Sequence, residues 1–92
     1  MQSTSLPDRP TARQELVLQR VGNEWVLFDS KNDRAHVLNL TAAVVWTYCD
    51  GSHHTDAIAA AIARELPSAD QAMLRADVEV VLRRFADEGL LQ

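Results

Sequence analysis

His36, Cys49, His53 and His54 are the chain's whole supply of soft metal ligands. Cys49 and His53 stand at i and i+4, the step that brings two side chains together at a helix end. A closed zinc site takes four ligands at characteristic pair spacings, and the spacings here do not provide them, so no bound metal is expected. As a nucleophile Cys49 would need its thiolate. It lies in the apolar run "AAVVWTYC" beside Asp50, and burial and a neighbouring carboxylate both raise a thiol pKa. Cys49 therefore reads as a small buried hydrophobe, with His53 and His54 in a solvated turn. Asp29, Asp33, Asp50 and Asp56 fall in or beside turns, where they serve backbone geometry, and nothing pairs them as acid and base. The three glycines build no phosphate loop, and no catalytic groups or cofactor site are expected. Asn39-Leu40-Thr41 fits the N-glycosylation pattern, but without a secretory signal capping explains Asn39 better.

A chain of 92 residues has room for one core. Its net charge of −4 and pI near 5.2 argue against nucleic acid, because phosphate binding rests on lysines and arginines that displace counterions. Peptides, other proteins and small molecules are the expected partners. A single cysteine allows no internal disulfide, the opening "MQSTSLPDRPTARQ" has no apolar signal region, and no apolar run approaches the length of a membrane span. The expectation is a cytoplasmic protein with no membrane association. Residues 1–13 read as a flexible arm and residues 14–92 as the folded domain.

The elements that must position any site follow from pattern. "ELVLQRV" and "EWVLFDS" read as β1 and β2, joined by Gly22-Asn23 in a turn of type II′. "SKNDR" is a turn, and "RAHVLN" a third strand. The result is a three-stranded antiparallel meander with β1 and β3 as edges. Trp25 and Leu27 face one side of β2, Val26 and Phe28 the other; one side should meet helices, the other the arm or a second copy. Asn39 should cap α1, from Leu40 to about Cys49, with Gly51 beyond its end. A helix apolar on every side should be buried on every side. Thr55 should cap α2, "DAIAAAIAREL", with Ile58, Ile62 and Leu66 on one face. Ser68 and Gln71 have capping-box spacing, which opens α3 at Ala69 and runs it to about Glu88, closed by Gly89. Leu74, Val78, Val81, Leu82 and Phe85 form its core face. The fold class is α+β.

Beside that core face runs a second stripe on α3, Met73, Asp77, Val80 and Arg84. Two readings stay open: a partly covered flank with charges for solubility, or the floor of a groove whose charges set a partner's register.

The run "EWVLFD…RAHVLNLTAAVVWTYCDG", then "TDAIAAAIARELP", then "ADVEVVLRRFADEGLL" resembles the PqqD-like family, the peptide chaperones of pyrroloquinoline quinone biosynthesis and their relatives, known as RiPP recognition elements. The likeness covers about residues 16–91. It rests on Leu38-Asn39 with Thr41-Ala42, on Val45-Trp46 followed by Cys49-Asp50-Gly51, on Asp77-Val78 with Leu82, and on Gly89-Leu90-Leu91. The resemblance implies a small winged-helix-like domain, three-stranded antiparallel meander then three helices. It implies a non-catalytic function: binding the leader segment of a ribosomally made precursor peptide and presenting it to a modifying enzyme, often a radical-SAM protein. It also implies that the leader adds as a strand beside β3 and enters the cleft between β3 and α3. Carried over, that puts Arg34, Ala35, His36, Val37 and Leu38 on the strand side and Asp77, Val80, Val81 and Arg84 on the helix side. Ala35 stands where members often have an aromatic residue and Leu40 where they commonly have Pro, and "FDSKNDRAHVLN" lacks the Pro-Glu stretch of the quinone-pathway members. Ala35 bears on the shape of the pocket and Leu40 on little, since Pro is favoured but not required at the first helical position; the segment favours another peptide-modification pathway, with the quinone pathway itself held open.

Two other classes compete. A winged helix suggests a DNA-binding regulator, but on α3 Arg75, Arg83 and Arg84 are offset by Asp70, Asp77, Glu79, Asp87 and Glu88, where a recognition helix wants a basic face. The spare apolar sheet face suggests a homodimeric structural module.

Overall fold

A computed structural model describes residues 9–67 and 70–92. Three strands, β1 (Val17–Val21), β2 (Glu24–Asp29) and β3 (Arg34–Leu38), precede three helices, α1 (Leu40–Thr47), α2 (Thr55–Glu65) and α3 (Gln71–Asp87). The sheet order is β1-β2-β3, antiparallel throughout, so β1 and β3 are the edges. Gly22 takes φ +63° while Asn23 keeps a negative φ, the pattern of the expected type II′ turn, and Val21 pairs with Glu24 across it. The turn into β3 is held by Asp29, a buried carboxylate that accepts the backbone N–H of Asn32 at 3.2 Å and its side-chain amide at 2.8 Å. Those bonds, the amide's foremost, hold the Asp29 carboxyl below its ordinary range.

Asn39 caps α1 as its sequence position predicts, its Oδ1 accepting the Ala42 N–H at 2.8 Å. The helix ends at Thr47, short of Cys49, and is not buried all round. Ala42, Ala43, Val45 and Trp46 enter the core, but Leu40 is 54% exposed, Thr47 is exposed and Val44 is only partly covered. A domain this small has too few elements to surround a helix, so an apolar residue on the uncovered side stays in water.

Thr55 does not cap α2. It is the first helical residue, and His54 precedes it in extended conformation with no capping side-chain bond. Asp56 in the first turn supplies negative charge at that helix end instead. The capping box expected for α3 falls on Ser68. Ser68 and Ala69 lie outside the described residues, and the helix starts at Gln71 with Asp70 Oδ1 accepting the Ala72 N–H at 3.0 Å. At the other end Leu90 N–H bonds to Phe85 O at 2.8 Å and Gly89 N–H to Ala86 O at 3.1 Å, a Schellman closure.

The core gathers Leu27 and Leu38 of the sheet, Val45 and Trp46 of α1, Ile58 and Ile62 of α2, and Leu74, Val78, Leu82 and Phe85 of α3. Trp46 meets Phe85 edge to face, with centroids 5.3 Å apart. Val81, expected in the core stripe, is only partly buried, because it borders an open pocket with Asn39 and Thr41.

The expected flexible arm is fixed from Pro10 onward; residues 1–8 lie outside the described residues. Ala12 N–H bonds to Cys49 O at 2.7 Å, Gly51 N–H to Pro10 O at 3.1 Å and Gln92 N–H to Thr11 O at 2.8 Å. Residues 10–13 thus run as an extended segment between the turn after α1 and the last residues of the chain, with bridges Thr11 to Asp50 and Ala12 to Leu91. Polar composition misleads there because the ties are main-chain hydrogen bonds, which any residue type except proline can donate. Gly51 is needed at this junction: its φ is +85°, and a Cβ would meet Thr11 Oγ1 at 2.8 Å.

Candidate functional site

Antiparallel pairing gives β3 two kinds of residue. His36 and Leu38 turn their side chains toward the helices, opposite Leu27 and Trp25, and Ala35 and Val37 turn theirs to the outer sheet face. Leu38 is 2% exposed, so its side chain belongs to the core and is closed to any ligand. Val37 is 53% exposed.

The main-chain groups alternate as well. Arg84 reaches from α3 and donates through Nη2 to the Val37 carbonyl at 3.2 Å. That carbonyl therefore points away from β2, toward the open edge. In an antiparallel ladder the N–H and C=O of one residue share a side, and successive residues alternate. Ala35 and Val37 consequently present their amide groups to the open edge, while Arg34, His36 and Leu38 spend theirs on β2.

α3 runs alongside β3 in the opposite sense. Near the start of β3, His36 Nδ1 meets Glu88 Oε2 at 3.3 Å, and Arg84 Nε meets the same oxygen at 3.5 Å. His36 Nε2 is buried with no hydrogen-bond partner among the described residues. Beyond the end of β3 an open pocket of about 340 Å³ is lined by Asn39, Thr41, Asp77, Val80 and Val81. Val80 is 66% exposed on its rim.

The nine residues singled out from the sequence therefore divide. Asp77, Val80 and Val81 line the pocket, Arg84 spans from helix to strand, and Ala35 and Val37 hold the open edge. His36 sits between strand and helix, and Leu38 is core. Arg34 lies at the far end, around a separate depression with Arg13, Asp29, Asn32, Glu88 and Gly89. Sequence reasoning missed Asn39, Thr41 and Glu88. The i, i+4 step from Arg84 to Glu88 was a usable signal for the last; its contact with His36 joins residues far apart in sequence and had none.

The other chemistry-bearing side chains do not converge. Cys49 is buried and donates to Val45 O at 3.3 Å. Burial pushes its thiol up to about 12, and Asp50 adds to the rise. Asp50, Ser52 and His53 form a tight cluster, but Ser52 Oγ at 3.0 Å and Asp50 Oδ1 at 3.1 Å meet the same ring nitrogen, Nδ1. A triad needs the hydroxyl and the carboxylate on opposite nitrogens. The cluster is a turn: hydrogen bonds from Ser52, then His53, hold the Asp50 carboxyl down at about 2. Among the described residues no three His, Cys, Asp or Glu side chains are grouped to hold a metal ion, and no helix is long and apolar enough to cross a membrane.

Solved structures share this fold. TbiB1, solved in complex with the TbiA(beta) leader peptide, is similar with a TM-score of 0.71 and 22% identity, over 89% of this chain and 94% of that one. A lasso peptide synthetase B1, complexed with its leader peptide, gives a TM-score of 0.70 and 18% identity over 91% of this chain and 98% of that one. The PqqD truncation of Methylobacterium extorquens PqqCD, described as a functional and stand-alone RiPP recognition element, gives a TM-score of 0.75 and 25% identity, over 98% of this chain and 95% of that one. No curated protein sequence matches the chain. The family described as coenzyme PQQ synthesis protein D matches residues 24–91, from β2 to the penultimate residue. The chain belongs to the PqqD family.

Proposed function

We propose that this chain is a non-catalytic peptide chaperone of the cytoplasm. It binds the leader segment of a ribosomally made precursor peptide as a fourth strand on β3 and presents it to a modifying enzyme of the radical-SAM type. The observation that carries this reading is the open edge of β3: the amide groups of Ala35 and Val37 face outward beside a pocket on α3. An unpaired edge gives sequence-tolerant affinity to a disordered peptide, and a pocket for alternate side chains gives selectivity. The leader loses chain entropy on binding, so modest affinity and ready release suit a chaperone that must hand its peptide on. The leader peptides bound to TbiB1 and to the lasso peptide synthetase B1 support the same ligand class.

The test is titration of a labelled leader peptide, encoded by a short precursor reading frame sought among the neighbouring genes, into parent and variant proteins. Val80→Asp places a charge on the apolar rim, and Arg84→Glu reverses the charge that reaches β3. Each contact of this kind is worth roughly 1 to 3 kcal/mol, about five- to 150-fold in Kd. Circular dichroism should show the parent fold in both, since neither side chain is in the core. Unchanged affinity in both folded variants removes the β3–α3 cleft as the site.

A homodimeric module is the second reading, favoured by the outer sheet face, where Val17, Val21, Phe28 and Val37 are exposed. Sedimentation at micromolar protein separates the two readings: the chaperone reading predicts a monomer that binds leader.

A further inference from the structure

Strand addition opposite Val37 needs both of that residue's edge-facing groups, because a hydrogen-bonded antiparallel pair exchanges N–H···O bonds in both directions. In the free chain its acceptor is already occupied. Arg84 Nη2 donates to the Val37 carbonyl at 3.2 Å, while Arg84 Nε lies 3.5 Å from Glu88 and Glu88 lies 3.3 Å from His36 Nδ1. A long cationic side chain laid across an edge strand is one way proteins blunt an open edge. Here it is held on the helix side by a carboxylate that it shares with a histidine of the strand it covers.

We propose that Arg84 is a displaceable latch on the β3 edge, and that the ligand which opens it is a peptide carrying an acidic side chain one residue away from the residue that pairs with Val37. This inference rests on the strand-addition reading and names its ligand more narrowly.

When a peptide N–H takes the Val37 carbonyl, the guanidinium loses one acceptor and keeps only Glu88. Its fixed fork of donors suits a second carboxylate, which it can grip through two parallel bonds. Side-chain parity then sets where that carboxylate must be. The peptide residue directly opposite Val37 shares Val37's face and points to the outer side of the sheet, away from α3. Its neighbours in sequence share the face of His36 and Leu38 and point into the cleft. The neighbour opposite His36 comes to the Arg84 end. The neighbour opposite Leu38 comes toward Val80 and Val81, where an apolar side chain fits. Strand geometry therefore selects an acidic and an apolar residue two positions apart, and an amide in place of the acid leaves the displaced guanidinium without its new partner. Asp77 at the other end of the pocket disfavours a second acidic residue there.

The probe is a phage-displayed library of random ten-residue peptides, panned against the full-length parent, Arg84→Ala and Arg84→Lys, each checked by circular dichroism. The parent is expected to retain peptides with Asp or Glu two positions from an apolar residue. A retained peptide remade with the amide should bind the parent about tenfold more weakly. On Arg84→Ala the acid and amide forms should bind alike, and the amide form should bind at least as well as it does to the parent, because the Val37 carbonyl is free. Arg84→Lys should keep part of the acid preference, since a point charge remains without the planar fork. If parent and Arg84→Ala retain the same acidic pattern, or the acid-to-amide loss is equal in both, the latch is wrong while peptide binding stands. If neither protein retains any peptide, the strand-addition reading fails and the latch with it.

Discussion

Burial first, and the Asp50 carboxylate second, push the Cys49 thiol from an ordinary 9.0 up to about 12. The folded chain thus holds that proton more tightly than the unfolded chain does. The associated stability is complete below the unfolded pKa and declines as pH climbs from about 9 toward 12. At about pH 8 the thiolate fraction is on the order of one in ten thousand, so Cys49 should resist a thiol reagent in the native protein and react at once in denaturing guanidinium. Rapid labelling of native protein would mean that the turn after α1 opens far more readily than its main-chain bonds to Pro10 and Ala12 allow. The sequence already carried this residue's character, because an apolar run and an adjacent Asp act on a thiol in one direction.

Among the elements, α3 and the sheet were legible because their patterns are strong. Leu74, Val78, Leu82 and Phe85 recur at helical spacing, and Gly22-Asn23 selects a tight hairpin. The flank of α3 was legible for the same reason: once the core stripe is placed, Asp77, Val80 and Arg84 must lie beside it, while their proposed binding role came from the family resemblance. What the sequence could not supply was coverage. Nothing in "LTAAVVWT" says that Leu40 and Thr47 face water, because an apolar residue records what a neighbour would gain and not whether a neighbour exists. Nor does sequence say which of two nearby polar residues will cap α3: Ser68 and Asp70 both suit, and Asp70 Oδ1 accepts the Ala72 N–H. The direction of the β3 amides depends on pairing parity, and only the contact of Arg84 with Val37 settled it. The buried side of α1 is tested by Trp46→Ala. Trp46 is 8% exposed and packs edge to face on Phe85, so its loss should cost about 3 to 5 kcal/mol, a large part of the ~5 to 15 kcal/mol typical of a domain. Thermal or denaturant unfolding measures it, and an unchanged midpoint would contradict the central place given to α1.

For the whole molecule, the decisive properties are charge and an uncovered edge. The net charge is −4, and on α3 Arg75 is tied to Asp56 and Glu79 and Arg84 to Val37 and Glu88, so these two arginines are already committed to protein groups rather than to phosphates. Mixed-sequence duplex DNA should not be retained near physiological salt; a salt-sensitive gel shift at micromolar protein would revive the regulator reading. The shape of the molecule leaves β3 at a border, with one side satisfied by β2 and the other facing only Arg84 and solvent. An edge beside a pocket suits an added strand, which is the mode proposed for the leader peptide.

Amide hydrogen exchange, read residue by residue along β3 with and without leader peptide, tests that claim most directly. In the free protein the amides of His36 and Leu38, paired with β2, should exchange slowly, and those of Ala35 and Val37, on the open edge, quickly. Saturating leader should slow Ala35 and Val37 by at least about tenfold and leave the order of the others unchanged. A bound leader that leaves Ala35 and Val37 exchanging as fast as before would contradict strand addition at β3.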